Sequence, residues 1–248
     1  MDYAEKNLYA FYRYFGGVKN VNLIIEKSYS AVLSENGSWP QMIFDLNQSF
    51  SPEDSIKGLI FDISKKSLPP FFVAPESYIS GEHSSMLKKY GFVPLKMLSG
   101  MNMDVQPQKN LSLSPEITFE ELISDDLLNQ YNNLINTELL NKEFPLDPTT
   151  LKDLKNSKVK PLGLLRNGKL ISALLLCLLN NKGGLYFIAT RKEFQKQGYA
   201  SALIKSTINY AYNINLNELI LHANQNSVEF YKKIGFVNQN RFIIYRKL

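Results

Sequence analysis

Apolar positions recur at two spacings in the second half of the chain. In "ITFEEL" and "GGLYFIAT" they alternate or cluster over a few residues, as in strands. In "SDDLLNQYNNLINTELL" leucines return at helical spacing behind an acid-rich start, which suits a helix N-terminus. "DPTTLKDLKN" predicts a short second helix with Pro148 in its opening turn. In "VKPLGLLRNGKLISALLLCLL" two apolar runs flank Asn167-Gly168, the pair that suits a tight hairpin because both central positions take positive φ. A helix from about Tyr199 to Tyr212 follows, then a strand "ELILHA", a short helix "NSVEFYKKIG" and a closing strand "RFIIYRKL". Asn226 and Glu229 have the spacing of a capping box at the start of that short helix.

After residue 115 the order is strand, two helices, three meandering strands, helix, strand, helix, strand. That order predicts an α/β fold with a mixed sheet of the α+β kind. It lacks the regular βαβ repeat of a Rossmann domain. Upstream, "QPQKNLSLSPE" is polar, with two prolines and two serines, and reads as a linker. The expected division is therefore 1–105, a linker at 106–115, and 116–248.

Composition narrows the picture. Of 248 residues, 44% are hydrophobic and 12% aromatic, enough for substantial cores. The single cysteine, Cys177, lies in the apolar run "ISALLLCLL", so no disulfide joins two points of the chain. A structural, reduced cysteine is expected there. The opening "MDYAEKNLYAFYRYF" lacks the apolar run of a secretion signal, and "ALLLCLL" is far short of a membrane span. A cytoplasmic protein with no membrane partner is expected. The net charge is +5 with scattered lysines and no basic block, so no nucleic-acid partner is expected, while a small polyanionic ligand fits.

The stretch "QKQGYAS", residues 195–201, joins the strand "GGLYFIAT" to the helix that follows. A helix start exposes unpaired N–H groups and a partial positive charge. Gly198 and Ala200 leave the backbone approachable, and Ser201 adds a hydroxyl donor. Arg191, Lys192, Lys196 and Lys205 add positive potential. The plain alternative is an ordinary strand–helix turn that contains a glycine.

"QKQGYA" resembles the acetyl-CoA loop of the GNAT N-acetyltransferase superfamily, R/Q-x-x-G-x-G/A. Downstream, "NQNSVEFYKKIGFV" is similar to that family's last helix, with its asparagine, its "FY" pair and its "GF" end. The resemblance covers residues 112 to 248. It implies the GNAT fold, with acetyl-CoA as cofactor. It implies that the backbone of Ile188, Ala189 and Thr190 bonds the pantetheine arm. The amides of Gln195, Lys196, Gln197, Gly198, Tyr199, Ala200 and Ser201 would surround the pyrophosphate. Asn226 would lie near the pantetheine or the acceptor, a role that simple helix capping does not exclude. Tyr231 matches the family's frequent general acid, which protonates the leaving thiolate; its alternative role is a core tyrosine. Gln195 stands where arginine is more usual and Lys192 where proline is common, and neither change removes an amide donor. His222 is a candidate general base or a satisfied strand histidine. Glu193 and Glu143 are further carboxylate candidates.

The chain also resembles itself. Shifted by 144 residues, "MLKKYGFV" (86–93) falls on "FYKKIGFV" (230–237), Leu59-Ile60 on Leu203-Ile204, Phe50 on Phe194, and "WPQMIF" on "GGLYFI". In this register "SPEDSIK" matches "QKQGYAS". Pro52 lacks an N–H, and Glu53 and Asp54 set carboxylates where a pyrophosphate would lie. The N-terminal part therefore reads as a smaller, degenerate GNAT-like domain without a cofactor loop.

The function implied is acetyl transfer from acetyl-CoA to a primary amine of a small molecule or a peptide by direct attack. A non-catalytic CoA-binding or sensing module, or an acyltransferase with another acyl group or acceptor, is the second class. Tyr231 favours the enzyme.

Overall fold

The computed structural model describes residues 2–46, 52–108, 113–140, 143–154 and 158–248, without the side chains of 52–55. Helix α1 (Tyr3–Tyr14) is followed by strands β1 (Val21–Ile25), β2 (Ser30–Ser34) and β3 (Gln41–Phe44). Then come α2 (Pro52–Ser64), β4 (Phe71–Pro75), α3 (Gly81–Lys89) and the long β5 (Phe92–Asp104). The second half runs β6 (Ile117–Glu121), α4 (Asp125–Glu138), α5 (Thr150–Leu154), β7 (Val159–Arg166), β8 (Lys169–Leu179) and β9 (Lys182–Thr190). It ends with α6 (Tyr199–Asn213), β10 (Glu218–Asn224), α7 (Val228–Ile234) and β11 (Val237–Lys247).

Among the described residues eleven strands form one open mixed sheet in the order β1-β2-β3-β4-β11-β5-β10-β9-β8-β7-β6. The β7–β8 hairpin turns at Asn167 (φ 49°) and Gly168 (φ 77°), as two adjacent positive-φ positions require. Helix α4 is capped by Ser124, whose hydroxyl accepts from the Leu127 N–H, and Asp125 and Asp126 open its first turn.

The two halves repeat a pairing scheme. β2 is antiparallel to β3 and β3 parallel to β4; likewise β8 is antiparallel to β9 and β9 parallel to β10. Each half's last strand then crosses over: β5 pairs with β10, and β11 pairs with β4. β5 and β11 lie side by side at the centre. The arrangement is consistent with two repeated halves that share one sheet. Leu59 and Leu203, matched by the 144-residue shift, are both buried.

Helix α1 is the keystone of this interlock. Ala4, Asn7 and Phe11 fall on one side of the helix and Tyr9 and Tyr12 on another, as the 100° step per residue dictates. The first side meets the C-terminal half: Ala4 O contacts His222, and the Phe11 ring stacks on Tyr186 at 3.7 Å between centroids. The second meets β3, with Tyr9 and Tyr12 against Phe44 at 5.7 and 5.3 Å. One core on the α1 and α4 side mixes residues from both halves, and a second lies under α6 and α7.

Three local expectations are corrected. Asn226 and Glu229 form no capping box: a 3-10 turn, Gln225–Ser227, precedes α7, whose start has no side-chain cap, and Glu229 pairs with Lys232 at 2.7 Å. Pro148 precedes α5 rather than opening it, in a turn where Asp147 Oδ1 accepts from the Thr149 N–H at 2.9 Å. The closing strand begins at Val237, earlier than its apolar run suggests. Phe50 and Ser51, the side chains of Pro52, Glu53 and Asp54, and linker residues 109–112 lie outside the described residues.

Candidate active site

Strands β9 and β10 pair in parallel only from Lys182 with Glu218 to Leu185 with Leu221. Beyond that point the strands part, and β9 continues to Thr190 paired only with β8. The parting coincides with a bulge. Ala189 faces Ala173 and Tyr186 faces Leu175, so Phe187 and Ile188 together oppose Leu174. Phe187 carries a positive φ of 49°, and its carbonyl accepts from the Tyr131 hydroxyl of α4 at 3.0 Å. A bulge bends its strand, and here it turns the end of β9 away from β10. Alternate backbone groups of Tyr186–Thr190 are left facing an open edge.

Past Thr190 a 3-10 turn, Lys192–Phe194, leads into the turn that starts α6. Lys196 (φ 60°) and Gly198 (φ 87°, ψ −5°) are both left-handed. A Cβ built on Gly198 meets nothing within 4 Å, so the approach to this turn is open. No side chain caps α6. The first-turn amides of Tyr199, Ala200 and Ser201 have no acceptor one turn back, as at any helix start. Lys192, Lys196, Gln197 and Gly198 are exposed, and Tyr199, Ala200 and Ser201 are half-buried.

The side chains of Gln195 and Gln197 are engaged within the loop. Gln195 Nε2 donates to Thr190 O and to Glu138 Oε2, both at 3.0 Å, and Gln197 Nε2 donates to Glu193 O at 2.8 Å. Ala189 and Thr190 are anchored to β8: Ser172 Oγ donates to Ala189 O at 2.9 Å and lies 2.7 Å from Thr190 Oγ1. Ile188 is half-buried against the core beneath α6.

Tyr231, on α7, packs between Phe230 and Phe236, with ring centroids at 5.1 and 6.0 Å. Burial pushes its phenol up to about 12, so the hydroxyl keeps its proton at neutral pH. Asn226 is exposed in the turn between β10 and α7. It lines a cavity of about 380 Å³ whose opposite wall, Leu95–Met97, comes from β5 of the N-terminal half.

His222 faces α1. Its Nε2 lies 3.1 Å from Ala4 O, its ring stacks near Tyr186, and burial lowers its pKa to about 4. Glu143 forms a two-pronged ion pair with Arg246, at 2.6 and 3.2 Å. Cys177 is buried, and burial pushes its thiol well up. Sequence reasoning did not find Glu138, which touches the loop at two points. Its residue type and spacing carry no signal, because the contact bridges positions 54 and 57 apart. The same holds for Trp39 of the N-terminal half, which packs 4.8 Å from the bulge residue Phe187.

Residues 125–236 match the model of the acetyltransferase (GNAT) family. No curated protein matches the chain. A GCN5-related N-acetyltransferase from Kribbella flavida superposes with a TM-score of 0.72 at 9% identity, covering 100% of this chain and 96% of that one. A functionally unknown conserved protein from Staphylococcus epidermidis gives 0.65 at 14% identity, over 94% and 97%. A tandem GNAT protein from the clavulanic acid biosynthesis pathway gives 0.59 at 10% identity, over 88% and 77%. At such identities these structures establish the fold. Among the described residues no helix is long and apolar enough to cross a membrane.

Proposed function

We propose that the chain is an acetyl-CoA-dependent N-acetyltransferase. Its working domain spans 116–248, joined by the segment 106–115 to a degenerate GNAT-like domain, 1–105, that binds no cofactor. The acceptor is a primary amine of a small molecule or a peptide. The observation that carries this reading is the left-handed Gly198 at the uncapped start of α6, open on its outer side and next to the splayed edge of β9.

In this reading the amides of Gln195, Lys196, Gln197, Gly198, Tyr199, Ala200 and Ser201 hold the pyrophosphate. Free N–H groups and the helix dipole both favour an anion there. The backbone of Ile188, Ala189 and Thr190, through the groups that β8 leaves unpaired, bonds the pantetheine arm as a further strand would. Bound acetyl-CoA supplies a thioester that a neutral amine attacks directly. Asn226 orients the arm or the acceptor. Tyr231, whose phenol keeps its proton at neutral pH, donates that proton to the departing sulfur, and the proton shed by the attacking amine passes to solvent and restores the phenol. Catalysis is then mostly positioning plus proton handling.

The experiment is thiol release from acetyl-CoA across a panel of amines, run on the full chain. Release that depends on an amine supports the reading. Binding of acetyl-CoA without release from any amine would favour a CoA-binding module instead.

A further inference from the structure

We infer that Glu138 is a positioning residue for the acyl-CoA loop, holding the turn between β9 and α6 from the end of α4; this rests on the reading of that loop given above. Glu138 is the last residue of α4. Its Oε1 accepts from the backbone N–H of Lys192 at 3.2 Å, and its Oε2 accepts from Gln195 Nε2 at 3.0 Å. The same Gln195 amide donates to Thr190 O, the last carbonyl of β9. One carboxylate and one amide side chain thus join the end of the strand, the 3-10 turn and the first residue of the phosphate-facing turn.

The loop needs this help. It holds two left-handed residues, Lys196 and Gly198, one of them bearing a side chain. Its backbone bonds lie mainly at its two ends: Phe194 N to Arg191 O at 2.8 Å, Gln195 N to Lys192 O at 3.3 Å, and Ala202 N to Gly198 O at 2.9 Å. Amides that must converge on one anion bind it more weakly if the free loop wanders among other arrangements.

The carboxylate's charge has the opposite effect. Glu138 is a negative group beside a site for an anion, and like charges repel. Its benefit to binding therefore comes through geometry, against its own charge. This makes the clamp separable from electrostatics. Glu138→Gln relieves the repulsion and keeps an acceptor oxygen. Glu138→Ala relieves the same repulsion and removes both acceptors.

The test is calorimetric titration of the full chain with acetyl-CoA, paired with hydrogen exchange at the amides of 192–198. Glu138→Ala is expected to weaken binding about tenfold, Glu138→Gln to lie between it and the unmodified protein because its amide keeps one of the two contacts, and Gln195→Ala to weaken binding in the same direction through the contact it shares with Glu138. The double variant should be little worse than either single one, since the two share a bond. Exchange at 192–198 should quicken in Glu138→Ala. At saturating acetyl-CoA, kcat should hold while KM for acetyl-CoA rises. Equal tightening in Glu138→Gln and Glu138→Ala would mean that only charge matters, and would overturn the inference. So would unchanged affinity in Glu138→Ala. If that variant does not fold, Gln195→Ala breaks the same contact from the loop side and decides. If the unmodified protein itself does not bind acetyl-CoA, the loop's reading fails; the exchange rates then decide the clamp alone, and unchanged rates in Glu138→Ala overturn it.

Discussion

The Tyr186 hydroxyl donates a 2.6 Å hydrogen bond to Asn7 Oδ1, joining residues 179 positions apart. Both are buried, on β9 and on α1. The chain's first helix is therefore part of the floor from which the open edge of β9 emerges. Replacing Asn7 by alanine leaves a buried hydroxyl without its acceptor, a cost of about 1–3 kcal/mol. A lowered urea midpoint should show it. Tyr186→Phe should cost less than that, and the double variant should cost less than the sum of the two. Strictly additive losses would mean that the bond contributes nothing.

Trp39, the only tryptophan, lies on the N-terminal half against Phe187 of the C-terminal half. Its backbone N–H donates to Pro145 O at 2.9 Å, on the segment between α4 and α5. With β5 and β11 exchanged between the halves as well, the account predicts one cooperative unfolding event. Tryptophan fluorescence and far-ultraviolet circular dichroism should give coincident denaturation curves. An earlier fluorescence transition would show the halves separating.

His222 sets a pH dependence. Its folded pKa, about 4, lies below the ordinary 6.5 because burial disfavours the cation. The unfolded chain therefore takes up the proton first. Stability is full above pH 6.5 and falls as pH drops toward 4, by up to about 3 kcal/mol. Burial raises the carboxyl of Glu5, which works in the opposite sense. The comparison is therefore between the unmodified protein and His222→Asn, in urea at pH 7 and pH 5. The unmodified protein should lose the more on acidification; equal losses would contradict the assigned burial.

Tyr231→Phe should reduce turnover by about 100-fold or more, the usual scale for a lost proton donor, with acetyl-CoA affinity close to that of the unmodified protein. Stopped turnover with lost affinity would make Tyr231 a packing residue of the core beneath α7. Equal turnover would remove it from the mechanism.

Local chemistry made much of the fold legible. Asn167-Gly168 fixed a hairpin because only two consecutive left-handed residues close it, and the leucine spacing of α4 carried its buried face. The glycine turn before α6 was readable as a place where the backbone stays approachable, and the left-handed φ of Gly198 is a second reason for glycine there. The exchange of β5 and β11 was not legible, since strands of similar pattern pair with either neighbour and the choice is made by the whole sheet. His222 shows the same limit. Its place on a strand left open whether it was a base or a satisfied histidine, and its ring lies against a helix more than two hundred residues upstream. Asn226 and Glu229 had the right spacing for a cap, but spacing does not report the 3-10 turn that moves the helix start past Asn226.

The central claim is that the Gly198 turn receives a diphosphate, and calorimetry with acetyl-CoA on the unmodified chain and on Gly198→Asp tests it most directly. An aspartate there has room for its side chain, but it strains a backbone at φ 87° and brings a carboxylate to the anion's place. The account predicts saturable binding by the unmodified protein and a loss of about 100-fold or more in the variant. Equal affinity of the two proteins for acetyl-CoA would contradict it.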